Sequence, residues 1–205
     1  FLGVGLNYRA HALEAGMELP TTPVTFPFHR NAITRAGAPI EIPQVSERVD
    51  WEAELAIVIG SGGKNIPVES ALDHIAGYTI VNDVSARDIQ KADGQWSRAK
   101  SFDTFKPMGP WITTVDELGD AGDLEITLRV NGEVMQAGHT SDLVFSIPEI
   151  VSYISRDTTL LPGAVIATGT PAGVGMGRTP PVFLRGGDMV EIHVAGIGRL
   201  ANPVA

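Results

Sequence analysis

Two glutamates with one residue between them, Glu52 and Glu54, have a spacing that calls for a counter-charge. Residues 51–59, WEAELAIVI, alternate as a β-strand does, and a strand sends alternate side chains to one face. Trp51, Ala53, Leu55, Ile57 and Ile59 share one face, while Glu52, Glu54, Ala56 and Val58 share the other. The two carboxylates therefore lie side by side at one end of an apolar face, where they repel, and burial makes the repulsion worse. A divalent cation neutralises such a pair, and oxygen donors suit Mg²⁺, Mn²⁺ or Ca²⁺. The other reading is an exposed strand edge with two solvated glutamates. Asp83, near the end of a second apolar strand over 78–84, adds a third carboxylate to a hard-metal site, or else caps a strand–helix junction. Arg87 and Gln90 follow at i, i+3 spacing on one helix face and could orient an anionic substrate. A surface ion pair is the plainer reading of Arg87.

His11 and Glu14 are three apart on a short helical stretch, so their side chains can meet. A carboxylate beside an imidazole fixes its tautomer and raises its basicity, the arrangement of a general base; at this spacing it is also common helix decoration. Lys100 stands in Arg98-Ala99-Lys100-Ser101-Phe102-Asp103, where a lone lysine is ordinarily a solvated surface group. The run Thr168-Gly169-Thr170-Pro171-Ala172-Gly173-Val174-Gly175 lacks Gly-Lys-Ser/Thr and G-x-G-x-x-G spacing, so it is neither a P-loop nor a dinucleotide fingerprint. It reads as a tight loop bringing backbone N–H groups and the Thr170 hydroxyl to a ligand carboxylate, or as a plain turn. No G-x-S-x-G elbow occurs. His29, His74, His139 and His193 are scattered without metal spacing and are read as structural.

These residues need elements to carry them. Residues 4–19 begin as a strand and turn helical, 20–45 read as an extended Pro- and Thr-rich loop, and 71–74 as a short helix. Ser85, with Asp88 three residues on, resembles a capping box opening a helix. Leu124, Ile126, Leu128 and Val130 alternate with polar residues, and Asn131-Gly132 supplies a type I′ turn before the returning strand at 133–135. Pro148 suits the first turn of a helix over 147–155. Further strands are expected at 165–167 and 188–194. With no linker and no repeat, the expectation is a single domain over 1–205, α+β and richer in strand than helix.

The 24 acidic against 15 basic residues leave a net charge of −9, which disfavours a nucleic-acid backbone or an anionic membrane as partner. The absence of cysteine excludes a disulfide framework, a thiolate zinc site and a cysteine nucleophile. No apolar run is long enough to span a membrane, and no secretory leader is visible, so a cytoplasmic location is expected. The chain opens on Phe1 in what reads as mid-strand, so residues preceding it are expected to be missing or disordered.

Taken together, the segments resemble the fumarylacetoacetate hydrolase family over nearly the whole chain. The resemblance rests on Gly5-Leu6-Asn7-Tyr8 with His11 and Glu14, and on Asp50-Trp51-Glu52-Ala53-Glu54-Leu55-Ala56. It continues through Asn82-Asp83-Val84-Ser85-Ala86-Arg87-Asp88 with Gln90, then Trp96, Lys100-Ser101-Phe102-Asp103, Asn131-Gly132-Glu133, and the glycine run at 168–175. It implies a roll of mixed β-sheets with a few short helices, often a homodimer. It implies Mg²⁺ or Mn²⁺ held by Glu52, Glu54 and Asp83, and a 2-oxo or 2-enol acid surrounded by Lys100, Arg87, Gln90 and Thr170. The His11–Glu14 pair resembles a dyad that positions or deprotonates water. Residues 1–8 contain no acid, so the chain is similar to the smaller three-carboxylate members: acylpyruvate hydrolases, oxaloacetate decarboxylases and 2-hydroxyhepta-2,4-diene-1,7-dioate isomerases. Ala164 replaces a usual aspartate, and Pro27-Phe28-His29-Arg30 departs from the family pattern in a loop expected to select substrate.

Three reactions follow from one enolate: C–C hydrolysis, decarboxylation, and isomerisation, with the first two expected to lead. The expectation from another class is a catalytically silent metal-binding scaffold.

Overall fold

The computed structural model describes residues 1–205. Thirteen strands and five short α-helices follow one another. The first half contains β1 (Leu2–Gly5), α1 (Arg9–Glu14), β2 (Val24–Pro27), β3 (Ile33–Arg35), β4 (Val49–Asp50), β5 (Ala53–Ile59), β6 (Ile75–Asn82), β7 (Ser85–Ala86), α2 (Arg87–Asp93) and α3 (Trp96–Ala99). The second contains β8 (Lys106–Thr114), α4 (Val115–Leu118), β9 (Glu125–Val130), β10 (Glu133–His139), α5 (Ile147–Ile154), β11 (Val165–Ala167), β12 (Met189–Val194) and β13 (Gly198–Pro203). A seven-stranded sheet has the order β2-β1-β11-β5-β6-β8-β3, and a four-stranded one the order β10-β9-β12-β13. The large sheet is mixed: β1 runs parallel to β11 and β3 to β8, and the other pairs are antiparallel. The architecture is thus β-rich and mixed, with few helices.

The strand β5 lies between β11 and β6, and all seven of its residues are buried. Leu55, Ile57 and Ile80 of the large sheet join Ile126, Leu128 and Ile192 of the small one, and Ile150 of α5, in one apolar core. Truncating such a side chain, as in Leu55→Ala, costs about 2–5 kcal/mol. Local chemistry agrees with the elements. Asn131 and Gly132 take φ of 53° and 83°, as the type I′ turn between β9 and β10 requires. Helix α5 starts with Pro148 in its first turn and a reciprocal Ser146–Glu149 capping box.

Two expectations change, and two strands come without a sequence signal. The stretch 20–45 carries β2 and β3, which add to opposite edges of the large sheet rather than forming a loop. Strands β8 and β13 carry no strict polar/apolar alternation and escape a period-two reading. Ser85 does not cap α2; it lies in β7, and α2 begins at Arg87 with Ala86 as its N-cap. Asp88 instead accepts hydrogen bonds from Ser46 Oγ (2.6 Å) and Glu47 N (3.0 Å), tying the segment before β4 to α2.

Candidate active site

The antiparallel register of β5 on β6 sets the acidic cluster. Ala53 pairs with Asn82, and the Asp83 N–H donates to the Glu52 carbonyl at 2.9 Å, so Glu52 and Asp83 face each other just past the paired strands. Glu54 lies two residues along from Glu52. Ligand oxygens of Glu52, Glu54 and Asp83 converge within 4.8 Å of one another, and all three residues are buried. The solvated-edge reading of the glutamates is therefore excluded.

Two cations whose plainer reading was a place at the surface are packed into this cluster. Lys100, 3% exposed, donates to Glu52 Oε2, Asp83 Oδ2 and Ser85 Oγ, each at 2.8 Å. This explains Ser85: its hydroxyl accepts from a buried ammonium, a charge-assisted bond worth more than a helix cap. Arg87 is buried too, donating from Nε to Asp50 (2.8 Å), from Nη2 to Glu52 (2.6 Å) and from Nη1 to Gln90 (3.0 Å). Pairing of β4 with β7 sets Asp50 against Ser85 and brings it to Arg87. Behind Asp83, the fully buried Lys106 Nζ lies 2.7 Å from Oδ1 at an angle unsuited to a hydrogen bond, and donates instead to the Val84 and Phe105 carbonyls.

Burial by itself would raise the Glu52 carboxyl, but Lys100 and Arg87 outweigh it and hold the group well below the usual carboxylate range. Glu54 has no such partner; burial, with the charges of Asp83 and Glu52, pushes its carboxyl well up. Burial also acts to lower Lys100, and Asp83 with Glu52 reverses this, so it stays an ammonium. Lys106 goes the other way, pushed down to about 8 chiefly by burial. A hard oxygen cluster in which one carboxyl resists ionisation is one that a divalent cation fits, since it would favour the ionised Glu54.

The glycine run is placed by β11, which pairs with β5 so that Ala167 meets Ala56. Its N–H groups bind the site's own carboxylates rather than a ligand's. Gly169 N donates to Glu54 Oε2 (2.9 Å), Gly173 N to Glu14 Oε1 (2.9 Å), and Gly175 N and Met176 N to Asp50 (2.6 and 3.1 Å). Two glycines are required sterically. Gly169 has φ +106° and Gly173 φ +105°, and a Cβ on Gly173 would meet the Met135 carbonyl at 2.1 Å. On α1, His11 Nδ1 lies 3.2 Å from Glu14 Oε2. Burial acts to raise Glu14, but His11 and the Gly173 and Val174 N–H groups lower it overall.

All nine candidate residues but Glu14 line one cavity of about 510 Å³. It is walled by the apolar Phe26, Trp96 and Phe183, with Arg48 and Lys91 on its exposed side. Glu14 stands behind His11. Arg87 keeps two of its five N–H donors for an occupant, the other three being committed to Asp50, Glu52 and Gln90. Asp50, Lys106 and Gln136 were not singled out from sequence. Asp50 directly precedes Trp51-Glu52 and was open to notice, whereas nothing local marks a lysine or glutamine that only the tertiary fold buries.

Against known proteins, the profile of the fumarylacetoacetate (FAA) hydrolase C-terminal family matches residues 1–205. The chain belongs to this family. A mitochondrial oxaloacetate tautomerase of Xenopus laevis is 47% identical over 203 residues, 98% of this chain and 64% of that protein. The solved 5-carboxymethyl-2-hydroxymuconate delta-isomerase of Mycobacterium smegmatis superposes with a TM-score of 0.88 at 49% identity, covering 100% of this chain and 77% of the other. The fumarylacetoacetate hydrolase of Exiguobacterium antarcticum superposes at 0.92 and 43% identity, covering 99% and 73%. The fumarylacetoacetate hydrolase fold is thus shared throughout, among proteins named for different reactions. No helix is long and apolar enough to cross a membrane.

Proposed function

We propose that this fumarylacetoacetate hydrolase family chain is a divalent-metal enzyme acting on a 2-oxo or 2-enol acid, by C–C hydrolysis or decarboxylation through an enolate. The observation that carries this reading is the convergence of Glu52, Glu54 and Asp83 under one cavity, with Lys100 bridging two of them and His11–Glu14 alongside. Mg²⁺ or Mn²⁺ held by the three carboxylates would supply Lewis-acid polarisation of the 2-oxo carbonyl and charge to offset the enolate. Lys100 places a fixed positive charge in the same wall, where developing negative charge is favoured without reorganisation. His11, with Glu14 at its Nδ1, accepts a proton at Nε2 from water or from carbon. Arg87, Gln90 and Thr170 bind the acid and turn it toward that imidazole. The active form is a homodimer in this reading, checked by light scattering.

The names of the relatives favour a second reading, isomerisation or keto–enol tautomerisation, in which His11 moves a proton at carbon and no water attacks. A silent scaffold has less support, since metal-assisted folding needs no imidazole–carboxylate pair. The deciding experiment incubates the protein with Mg²⁺ or Mn²⁺ and oxaloacetate, an acylpyruvate or 2-hydroxyhepta-2,4-diene-1,7-dioate. Turnover that EDTA removes is expected. Undiminished turnover with EDTA would overturn the metal reading, and metal-raised melting without any turnover would favour the scaffold.

A further inference from the structure

Gln136 lies on β10 behind the cavity and is 1% exposed, yet its side chain joins both halves of the site. Its Oε1 accepts the Ala53 N–H at 2.9 Å, between the two glutamates of β5. Its Nε2 donates to the Pro171 carbonyl at 2.7 Å and to Thr170 Oγ1 at 2.8 Å. The orientation of this amide follows from chemistry. A backbone N–H can only donate and a carbonyl can only accept, so Ala53 requires the amide oxygen on its side and Pro171 requires the NH₂ on the other. The second N–H can then only donate to Thr170, whose hydroxyl oxygen must accept.

A hydroxyl has one proton and two acceptor positions. With Gln136 on the acceptor side, the Thr170 proton is free, and Thr170 Oγ1 donates to no group of the protein. The residue is 3% exposed and lines the cavity. A buried O–H with no acceptor is costly unless an occupant supplies one.

We infer that Gln136 is a positioning residue that makes Thr170 a one-way hydrogen-bond donor into the cavity, suited to an anionic oxygen of the bound acid. This deepens the proposed function and rests on it for the identity of the occupant. It separates Thr170 from a hydroxyl that could serve either polarity: a ligand presenting a donor there would meet a proton.

A double-mutant cycle tests it, read as oxalate affinity by calorimetry with Mg²⁺ present, oxalate being a planar dianion like the enolate of a 2-oxo acid. Thr170→Val and Gln136→Glu are each expected to weaken oxalate about tenfold, the size of one charge-assisted hydrogen bond. The carboxylate of Gln136→Glu would take the Thr170 proton for itself. In the Thr170→Val background Gln136→Glu is expected to add less than about twofold. Gln136→Met, which brings no charge, should follow the same pattern, and Thr170→Ser should keep near-parental affinity only while Gln136 is present. Losses that multiply in the double variant would overturn the inference, because they would reflect added charge or a displaced β5. Unchanged oxalate affinity in Gln136→Glu would also overturn it. Should the parent bind no oxalate, the enolate reading fails separately, and neutron diffraction decides the present point. A Thr170 deuteron directed into the cavity upholds it, and one directed at Gln136 refutes it.

Discussion

The acidic cluster past β5 and β6 and the His11–Glu14 pair on α1 face one cavity but are held by different means. In the cluster, Glu52, Asp83, Lys100, Arg87 and Asp50 are all buried and each is bonded to at least one other of the set. The dyad rides on a six-residue helix, half-buried, with Glu14 fastened chiefly by the Gly173 N–H and by His11. Buried charges cannot move independently, because each leaves another unpaired in a medium of low dielectric. A partly buried pair on a short helix, bonded chiefly to itself and to one loop N–H, shifts at less cost. The cluster is thus suited to holding charge in place, and the dyad to meeting a proton or a water after the substrate has entered.

The contrast can be broken by substitution. Glu52→Gln is expected to lower metal-dependent turnover about 10³-fold or more, since Lewis-acid polarisation is worth several kcal/mol. Turnover within tenfold of the parent would remove Glu52 from the metal site. Arg87→Met leaves Asp50 and Glu52 short of their cation and should cost about 3–5 kcal/mol in denaturant unfolding. Glu14→Gln should cost at most about 1 kcal/mol in the same measurement. Equal losses would mean that the two regions are held alike.

His11→Ala sharpens the division of labour. C–C hydrolysis should fall about 10²-fold while Mg²⁺ affinity by calorimetry stays within about twofold. If decarboxylation is retained, the dyad acts on water; equal loss of both reactions contradicts that role.

The smallest effect is on pH. Glu54 is raised in the folded state, so the metal-free protein takes up a proton on folding. Its contribution to stability is complete below the ordinary carboxylate value and is lost as pH rises toward the raised one. Metal requires the ionised form, so Mg²⁺ or Mn²⁺ affinity should rise over the same interval and binding should release a proton. Calorimetry in two buffers of different ionisation enthalpy measures that proton; none released would place Glu54 outside the ligand set.

Much of the site was legible because it obeys short-range rules. Period-two spacing put Glu52 and Glu54 on one face, and three-residue spacing let His11 meet Glu14. The Asn131-Gly132 turn was readable for the same reason. The helix start at Ser85 was misread because its hydroxyl accepts from Lys100, fifteen residues away, and donates back to the Asp83 carbonyl, so it accepts from no N–H of the following helix turn. The N–H partners of the glycine run were not readable either, since Asp50, Glu14 and Glu54 lie more than a hundred residues off.

The sequence by itself determined which chemistry is available: hard oxygen donors, an imidazole–carboxylate pair, no thiol, and the family that arranges them. Only the tertiary structure decided where each proton and charge sits. Burial of Lys100, Lys106 and Arg87, the raised Glu54 and the polarity of Thr170 depend on which groups the β11–β5–β6 register and β10 bring together. Charge and hydrogen-bond direction are properties of neighbours in space, and neighbours in space are what the order of residues leaves unsaid.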